Sequence, residues 1–213
     1  MKCEKETMLL YAVTDRMWTG RQTLMEQVED ALKGGVTCVQ LREKELDEKT
    51  FLQEAMEMKE LCAKYGVPFI INDNVDIAIK CKADGIHVGQ SDMEAGNVRA
   101  LVGEDMIIGV SVNCVEQALA AVKAGADCLG VGAMFNTSTK LDADSVSYDT
   151  LKDICAAVEI PVVAIGGISK ENMLELKGTG VDGVALVSAI FAAENIEAEC
   201  KELRELSMEM VQG

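Results

Sequence analysis

The 213-residue chain carries 36 acidic against 20 basic residues, a formal net charge of −16, which argues against nucleic-acid backbones and anionic membrane surfaces as partners. Its 49% hydrophobic content comes with only 4% aromatic residues, an aliphatic composition that suits buried parallel strands and one compact domain over 1–213. Eight cysteines without C-x-x-C spacing exclude a zinc or dithiol motif, and no signal peptide or membrane span is read, so a reduced cytoplasmic setting is expected.

Taken in chain order, short β-branched runs alternate with longer amphipathic segments, the pattern of repeated βα units on a parallel sheet. Strands are expected at Leu9 to Thr14, Cys38 to Leu41, Phe69 to Asn72, Gly85 to Val88, Ile107 to Ser111, Cys128 to Gly132, Val162 to Ile165 and Val184 to Val187. Helices are expected between them, as at Leu24 to Lys33 and Phe51 to Lys64, and a charged amphipathic helix from Ile196 to Met210 should end the chain. Gly34-Gly35, Gly66, Gly125 and Gly180 each stand one turn before a strand, where a left-handed residue can end a helix. Three of the helix-to-strand connections, ending in Asp84, Asp127 and Asp182, resemble one another. The fold class is α/β, a single-domain (β/α)8 TIM barrel; an open doubly wound sheet with the same element order is the alternative. In a barrel, ligands bind at the C-terminal ends of the strands, so the residues just after each strand carry the functional reading.

Those positions are polar. Gln40, Arg42 and Lys44 have the period-two spacing that puts alternate side chains on one face, so a guanidinium and an ammonium could meet one phosphate; alternatively Glu43, Glu45 and Asp47 pair with them as a solvated run. Asp73 and Asp92 end successive strands, and two carboxylates suit Mg2+; the plainer alternative is N-capping of the next helix in each case. Gly166-Gly167 and Val187-Ser188 come directly after the last two strands, as in a barrel phosphate site, although turn glycines could account for the first pair. The long connection from Gly132 to Val146 carries Thr137, Thr139 and Lys140, donors suited to phosphate on a loop that could close over substrate. His87, the one histidine, either donates to substrate or packs in the core.

In their order along the chain these motifs resemble the thiamine phosphate synthase family: Tyr11 to Asp15, Gln40-Leu41-Arg42-Glu43-Lys44, Ile71-Asn72-Asp73, Asp84 to Asp92, Gly109-Val110-Ser111, Gly130 to Gly132, Thr137-Ser138-Thr139-Lys140, Ala164 to Ile168 and Val187 to Ile190. The resemblance covers Tyr11 to Ala192. It implies a transferase that joins 4-amino-2-methyl-5-hydroxymethylpyrimidine diphosphate to 4-methyl-5-(2-hydroxyethyl)thiazole phosphate, or its carboxylated form, releasing pyrophosphate. It implies that Gln40, Arg42, Lys44, Asn72 and Lys140 contact the pyrophosphate, that Asp73 and Asp92 hold Mg2+, and that His87 and Ser111 line the pocket. Thr137, Thr139, Gly167, Val187 and Ser188 would bind the thiazole phosphate. Arg42, Lys44, Ser111 and Lys140 are the residues expected to carry catalysis. Small-molecule substrates are the expected partners, with a homo-oligomer left open. The chain departs from the family pattern at Asn113, where many relatives have His, and in Leu141 to Asp144, where a Pro-rich stretch is usual. A thiazole tautomerase on the same barrel and a non-catalytic phosphate-binding barrel are the alternative readings.

Overall fold

The computed structural model describes residues 3–90, 98–136 and 145–213. Eight parallel strands form a closed barrel in sequence order: β1 (Leu10–Val13), β2 (Cys38–Leu41), β3 (Phe69–Asn72), β4 (Gly85–Val88), β5 (Ile107–Val112), β6 (Cys128–Val131), β7 (Val162–Ile165) and β8 (Gly183–Leu186). Pairing of β1 with β8 through Leu10 to Val184 and Ala12 to Leu186 closes it and sets aside the open doubly wound sheet. The strands match the expected ones to within about a residue at most ends, because runs buried on both faces are distinct from the charged segments between them.

Around the barrel lie α1 (Leu24–Gly34), α2 (Glu48–Lys64), α3 (Val75–Lys80), α4 (Val98–Val102), α5 (Val115–Lys123), α6 (Tyr148–Ala157), α7 (Ser188–Phe191) and α8 (Ile196–Val211), and a 3-10 turn at Met173–Leu176 takes the helix position between β7 and β8. Thr23 opens α1 with a capping box to Glu26, and Asn195 caps α8 through Ala198 N–H. Gly35, Gly66, Gly125 and Gly180 have positive φ, as expected at these reversals. Among the described residues no helix is long and apolar enough to cross a membrane.

At the N-terminal end of the barrel one device recurs four times. Thr37, Asp84, Asp127 and Asp182 each precede a strand, and each side chain accepts from a backbone N–H of the strand before it: Leu10 at 2.9 Å, Phe69 at 2.8 Å, Ile108 at 2.8 Å and Val162 at 2.9 Å. The same four residues donate their own N–H to the carbonyls of Leu10, Phe69, Ile108 and Val162. The three resembling connections in the sequence therefore end in the same backbone lock, since an N–H at a strand start needs an acceptor when buried.

Inside the barrel, alternate residues of the strands form their own core of Tyr11, Val13, Cys38, Ile70, Ile107, Cys128, Val163 and Ala185, distinct from the larger core between strands and helices. His87 shares this interior. A Cβ at Gly109 would stand 2.5 Å from His87 Nδ1, and one at Gly130 would stand 3.2 Å from its Cε1. Two glycines on β5 and β6 thus make the space for one imidazole. Part of the residue reaches solvent at the mouth, yet Nδ1 is buried without a hydrogen-bond partner among the described residues. Burial lowers the imidazole pKa from 6.5 to about 4, the Asp73 charge opposing, so the ring is neutral near pH 7.

Gly109→Ala should reduce unfolding free energy by roughly 1–3 kcal/mol through overpacking, and the loss should shrink in a His87→Ala background. Urea denaturation of the four proteins checks this; equal losses in both backgrounds would mean that the ring is not what the new Cβ meets. For metal-free protein, the depressed pKa means that between about 6.5 and about 4 the unfolded chain binds a proton that the folded chain does not. Stability therefore falls as pH falls through that window. The His87→Gln variant should lose less over the same range, read from thermal melts in chelator; parallel melting profiles would contradict it.

Candidate active site

The C-terminal ends of β2 to β5 gather Gln40, Arg42, Lys44, Asn72, Asp73, His87 and Ser111. Along β2 and its extension the period-two alternation turns Gln40 inward, where it is buried and its Nε2 donates to Tyr11 Oη at 2.8 Å. Arg42 comes next on the same side. Its backbone N–H donates to Thr14 Oγ1 at 3.0 Å and its Nη1 to Asp15 Oδ2 at 3.0 Å. Lys44 Nζ lies 2.6 Å from Asp73 Oδ2.

Glu43 takes the opposite side. Its side chain is 2% exposed and lies 2.8 Å from Arg16 Nε, an ion pair rather than an aligned hydrogen bond, and Arg16 Nη2 donates to Glu54 Oε1 of α2 at 2.6 Å. Burial pushes the Glu43 carboxyl upward and Arg16 opposes it. Among the described residues none of Glu43, Glu45 and Asp47 pairs with Arg42 or Lys44, so the solvated-run alternative is corrected. Glu43 points away by alternation, and Asp47 caps α2 through Lys49 and Thr50 N–H. The acids that meet the cations are Asp15 and Asp73, each at the end of another strand.

Asn72 ends β3 beside His87 of β4. Asp73 then turns left-handed, with φ 61°, a conformation that Asp tolerates better than most residues, and its N–H donates to His87 O at 2.9 Å. The N-cap of α3 is Asn74, whose Oδ1 accepts from Ile77 N–H at 3.0 Å. Capping therefore does not account for Asp73, whose carboxylate is turned to the Lys44 ammonium instead. Its carboxylate is 40% exposed with Lys44 on one oxygen, and a carboxylate oxygen is the hard donor type that Mg2+ takes. A cleft of about 570 Å³ opens beside Lys44, Asn72, Asp73 and Asp76. Among the described residues no group of three metal-ligating side chains forms; Mg2+ commonly needs only one or two carboxylates alongside phosphate and water. Asp92 lies outside the described residues.

His87 Nε2 and Ser111 Oγ are 2.9 Å apart, so the two expected pocket residues are joined across β4 and β5. Gln90 adds a contact that the sequence reading missed, donating from Nε2 to Ser111 O at 2.8 Å. Tyr11 and Asp15 belong to the first motif but are given no role in the site from sequence, although Tyr11 alternates with Val13 toward the interior and Asp15 is a charge just beyond the end of β1.

At the far side of the mouth, Gly166 and Gly167 have φ 97° and 64°. A Cβ on Gly167 would lie 2.4 Å from Asn136 O, and one on Gly166 would lie 2.6 Å from Ala133 Cβ. The pair does more than turn the chain: it lets the segment after β6 close against β7, with Phe135 N–H donating to Gly166 O at 3.0 Å. Val187 caps α7, which Ser188 begins, and the leading N–H groups of a helix have no acceptor within it. Thr137, Thr139 and Lys140 lie outside the described residues.

Residues 10–190 match the family described as Thiamine monophosphate synthase. The chain is 51% identical over 197 residues to the thiamine-phosphate synthase of Ruminiclostridium cellulolyticum, covering 92% of this chain and 94% of that one. It is 51% identical over 196 residues to the thiamine-phosphate synthase of Clostridium botulinum, with 92% of each covered. Among solved structures, the thiamine phosphate pyrophosphorylase of Pyrococcus furiosus superposes with a TM-score of 0.88 at 37% identity, over 97% of this chain and 98% of that one. A geranylgeranylglyceryl phosphate synthase from Thermoplasma acidophilum, at 15% identity and a TM-score of 0.70 over 98% and 100%, shares the barrel fold. A closed eight-stranded barrel with this mouth, and this likeness over nearly all of its length, place the chain in the thiamine monophosphate synthase family.

Proposed function

We propose that this chain is a thiamine-phosphate synthase acting as one catalytic domain: it joins 4-amino-2-methyl-5-hydroxymethylpyrimidine diphosphate to 4-methyl-5-(2-hydroxyethyl)thiazole phosphate, or its carboxylated form, and releases pyrophosphate. The observation that carries this reading is the convergence of Arg42, Lys44, Asn72 and Asp73 from two adjacent strands on one side of the barrel mouth, next to the His87–Ser111 pair. The names of relatives about half identical to it support the same activity.

In this reading Gln40, Arg42, Lys44, Asn72 and Lys140 hold the pyrimidine substrate by its diphosphate, and Thr137, Thr139, Gly167, Val187 and Ser188 hold the thiazole phosphate. The pyrimidine carbon loses its bond to the diphosphate oxygen and gains one to the thiazole nitrogen. The electron pair of the broken bond leaves with pyrophosphate, so the main demand is charge stabilisation on the departing side. Arg42, Lys44 and Lys140 supply fixed positive charge there. Asp73 and Asp92 would hold Mg2+, which when bound adds positive charge against the leaving group. Neutral His87 and Ser111 border the pyrimidine side, and no protein nucleophile is required. A cytoplasmic setting with small-molecule partners accords with eight free thiols.

Purified protein should release pyrophosphate when both substrates and Mg2+ are present and stop on addition of chelator. Absence of release, with thiazole tautomerisation in its place, would move the assignment to an isomerase. Asp73→Asn keeps a side chain that tolerates the left-handed turn, so it should retain the fold but require more Mg2+ and turn over more slowly; an unchanged Mg2+ titration would remove Asp73 from the metal. Lys140→Ala should cost roughly 1–3 kcal/mol of transition-state stabilisation, read as kcat/KM for the pyrimidine diphosphate, and an unaltered value would remove Lys140 from the site.

A further inference from the structure

Two neighbouring residues after β1 are matched to two neighbouring residues after β2. Asp15 pairs with Arg42 and Arg16 pairs with Glu43, so an acid-base dipeptide on one strand end meets a base-acid dipeptide on the next. The first pair stands on the side of Gln40 and Lys44, and the second faces α2 through Glu54. Thr14, fully buried, fixes the Arg42 backbone between them.

Asp15 divides its carboxylate. Oδ1 accepts from Met17 N–H at 2.9 Å and caps the 3-10 turn Arg16–Trp18, a task that Asn or Ser performs equally well. Oδ2 is not needed for that cap, and it accepts from Arg42 Nη1 at 3.0 Å. Both side chains are largely shielded, at 16% and 25% exposure. Among the described residues Asp15 is the one acid paired with Arg42. A negative charge so near an anion site opposes the ligand by simple electrostatics, so its presence asks for a gain that offsets the repulsion.

We propose that Asp15 is a positioning residue for diphosphate binding: by holding Nη1 of Arg42 it fixes the guanidinium plane so that the remaining donors face the departing diphosphate. This rests on the synthase reading, in which Arg42 contacts that group. The gain is geometric, because a guanidinium recognises phosphate through paired, planar donors and loses that advantage when it can rotate. The Arg16–Glu43–Glu54 pairs anchor the other side of the same segment, so that Arg42 is held from both its backbone and its head.

The two physical effects predict opposite signs. Removing a nearby negative charge would tighten anion binding if only charge mattered, whereas loss of positioning would weaken it. Calorimetric titration of the full chain with inorganic pyrophosphate in Mg2+, and separately with the thiazole phosphate, distinguishes them. Asp15→Asn should weaken pyrophosphate binding about tenfold, the size of one charged hydrogen bond, while thiazole phosphate affinity and the melting temperature stay close to wild type. Asp15→Glu keeps the charge but displaces it by one methylene, and it should also weaken pyrophosphate. Arg42→Gln should weaken pyrophosphate in wild type and add little to Asp15→Asn. Unchanged or tighter pyrophosphate binding in Asp15→Asn, or an equal loss for both ligands, overturns the proposal. Wild-type protein that binds no pyrophosphate and releases none would instead overturn the synthase reading and this inference with it.

Discussion

Eight strands closed on one another leave an interior so narrow that each inward side chain limits its neighbours. Tyr11 points into it, and its paired neighbours on either side are Cys38 and Ala185. Nearer the mouth the imidazole of His87 takes the space that Gly109 and Gly130 leave. Burying a polar atom in such a packed interior is costly without a partner, and among the described residues His87 Nδ1 is the one in this interior that has none. Gln40 enters against Tyr11 and His87 against Ser111. These contacts stand where apolar packing gives way to the mouth, so the position of the site is set by where the interior ceases to be filled.

Acids serve the two ends of the barrel differently. At the N-terminal end Asp84, Asp127 and Asp182 accept from strand N–H groups and carry Lys59, Arg99 and Lys5 as counterions. Their work is to close the backbone ladder. At the mouth Asp15 and Asp73 face the cations of the β2 segment, and their effect is on where a side chain points. The division accords with barrels in general, in which one end carries stability and the other chemistry.

The strands and the closing helix were legible because buried runs and amphipathic periods are local properties of the chain. The face shared by Gln40, Arg42 and Lys44 was legible for the same reason, since a period of two survives folding. What those cations meet was not. Glu43 is adjacent to Arg42 in sequence but on the opposite face, while Asp15 and Asp73 come from the flanking strands, and only lateral order in the sheet brings them together. Asp73 also looked like a helix cap, because Asp and Asn are alike in that role. Asn74 caps the helix, and the left-handed φ that separates the two neighbours is invisible in composition.

A chain of net charge −16 that receives two phosphorylated ligands would be self-defeating if net charge governed the mouth. Solvent and salt damp the charges of exposed acids over a Debye length of about 8 Å at physiological ionic strength, so the distant acids on the helices matter little there. The partly shielded charges at the strand ends matter most, and these are paired. Asp15 and Asp73 pair with Arg42 and Lys44 before any ligand arrives, so in the proposed function these two cations act by placement as well as by charge. In that reading their pairing meets part of the ordering cost of binding during folding rather than at the encounter. An acidic protein can in this way hold an anion by arrangement, and its surface charge stays available for solubility.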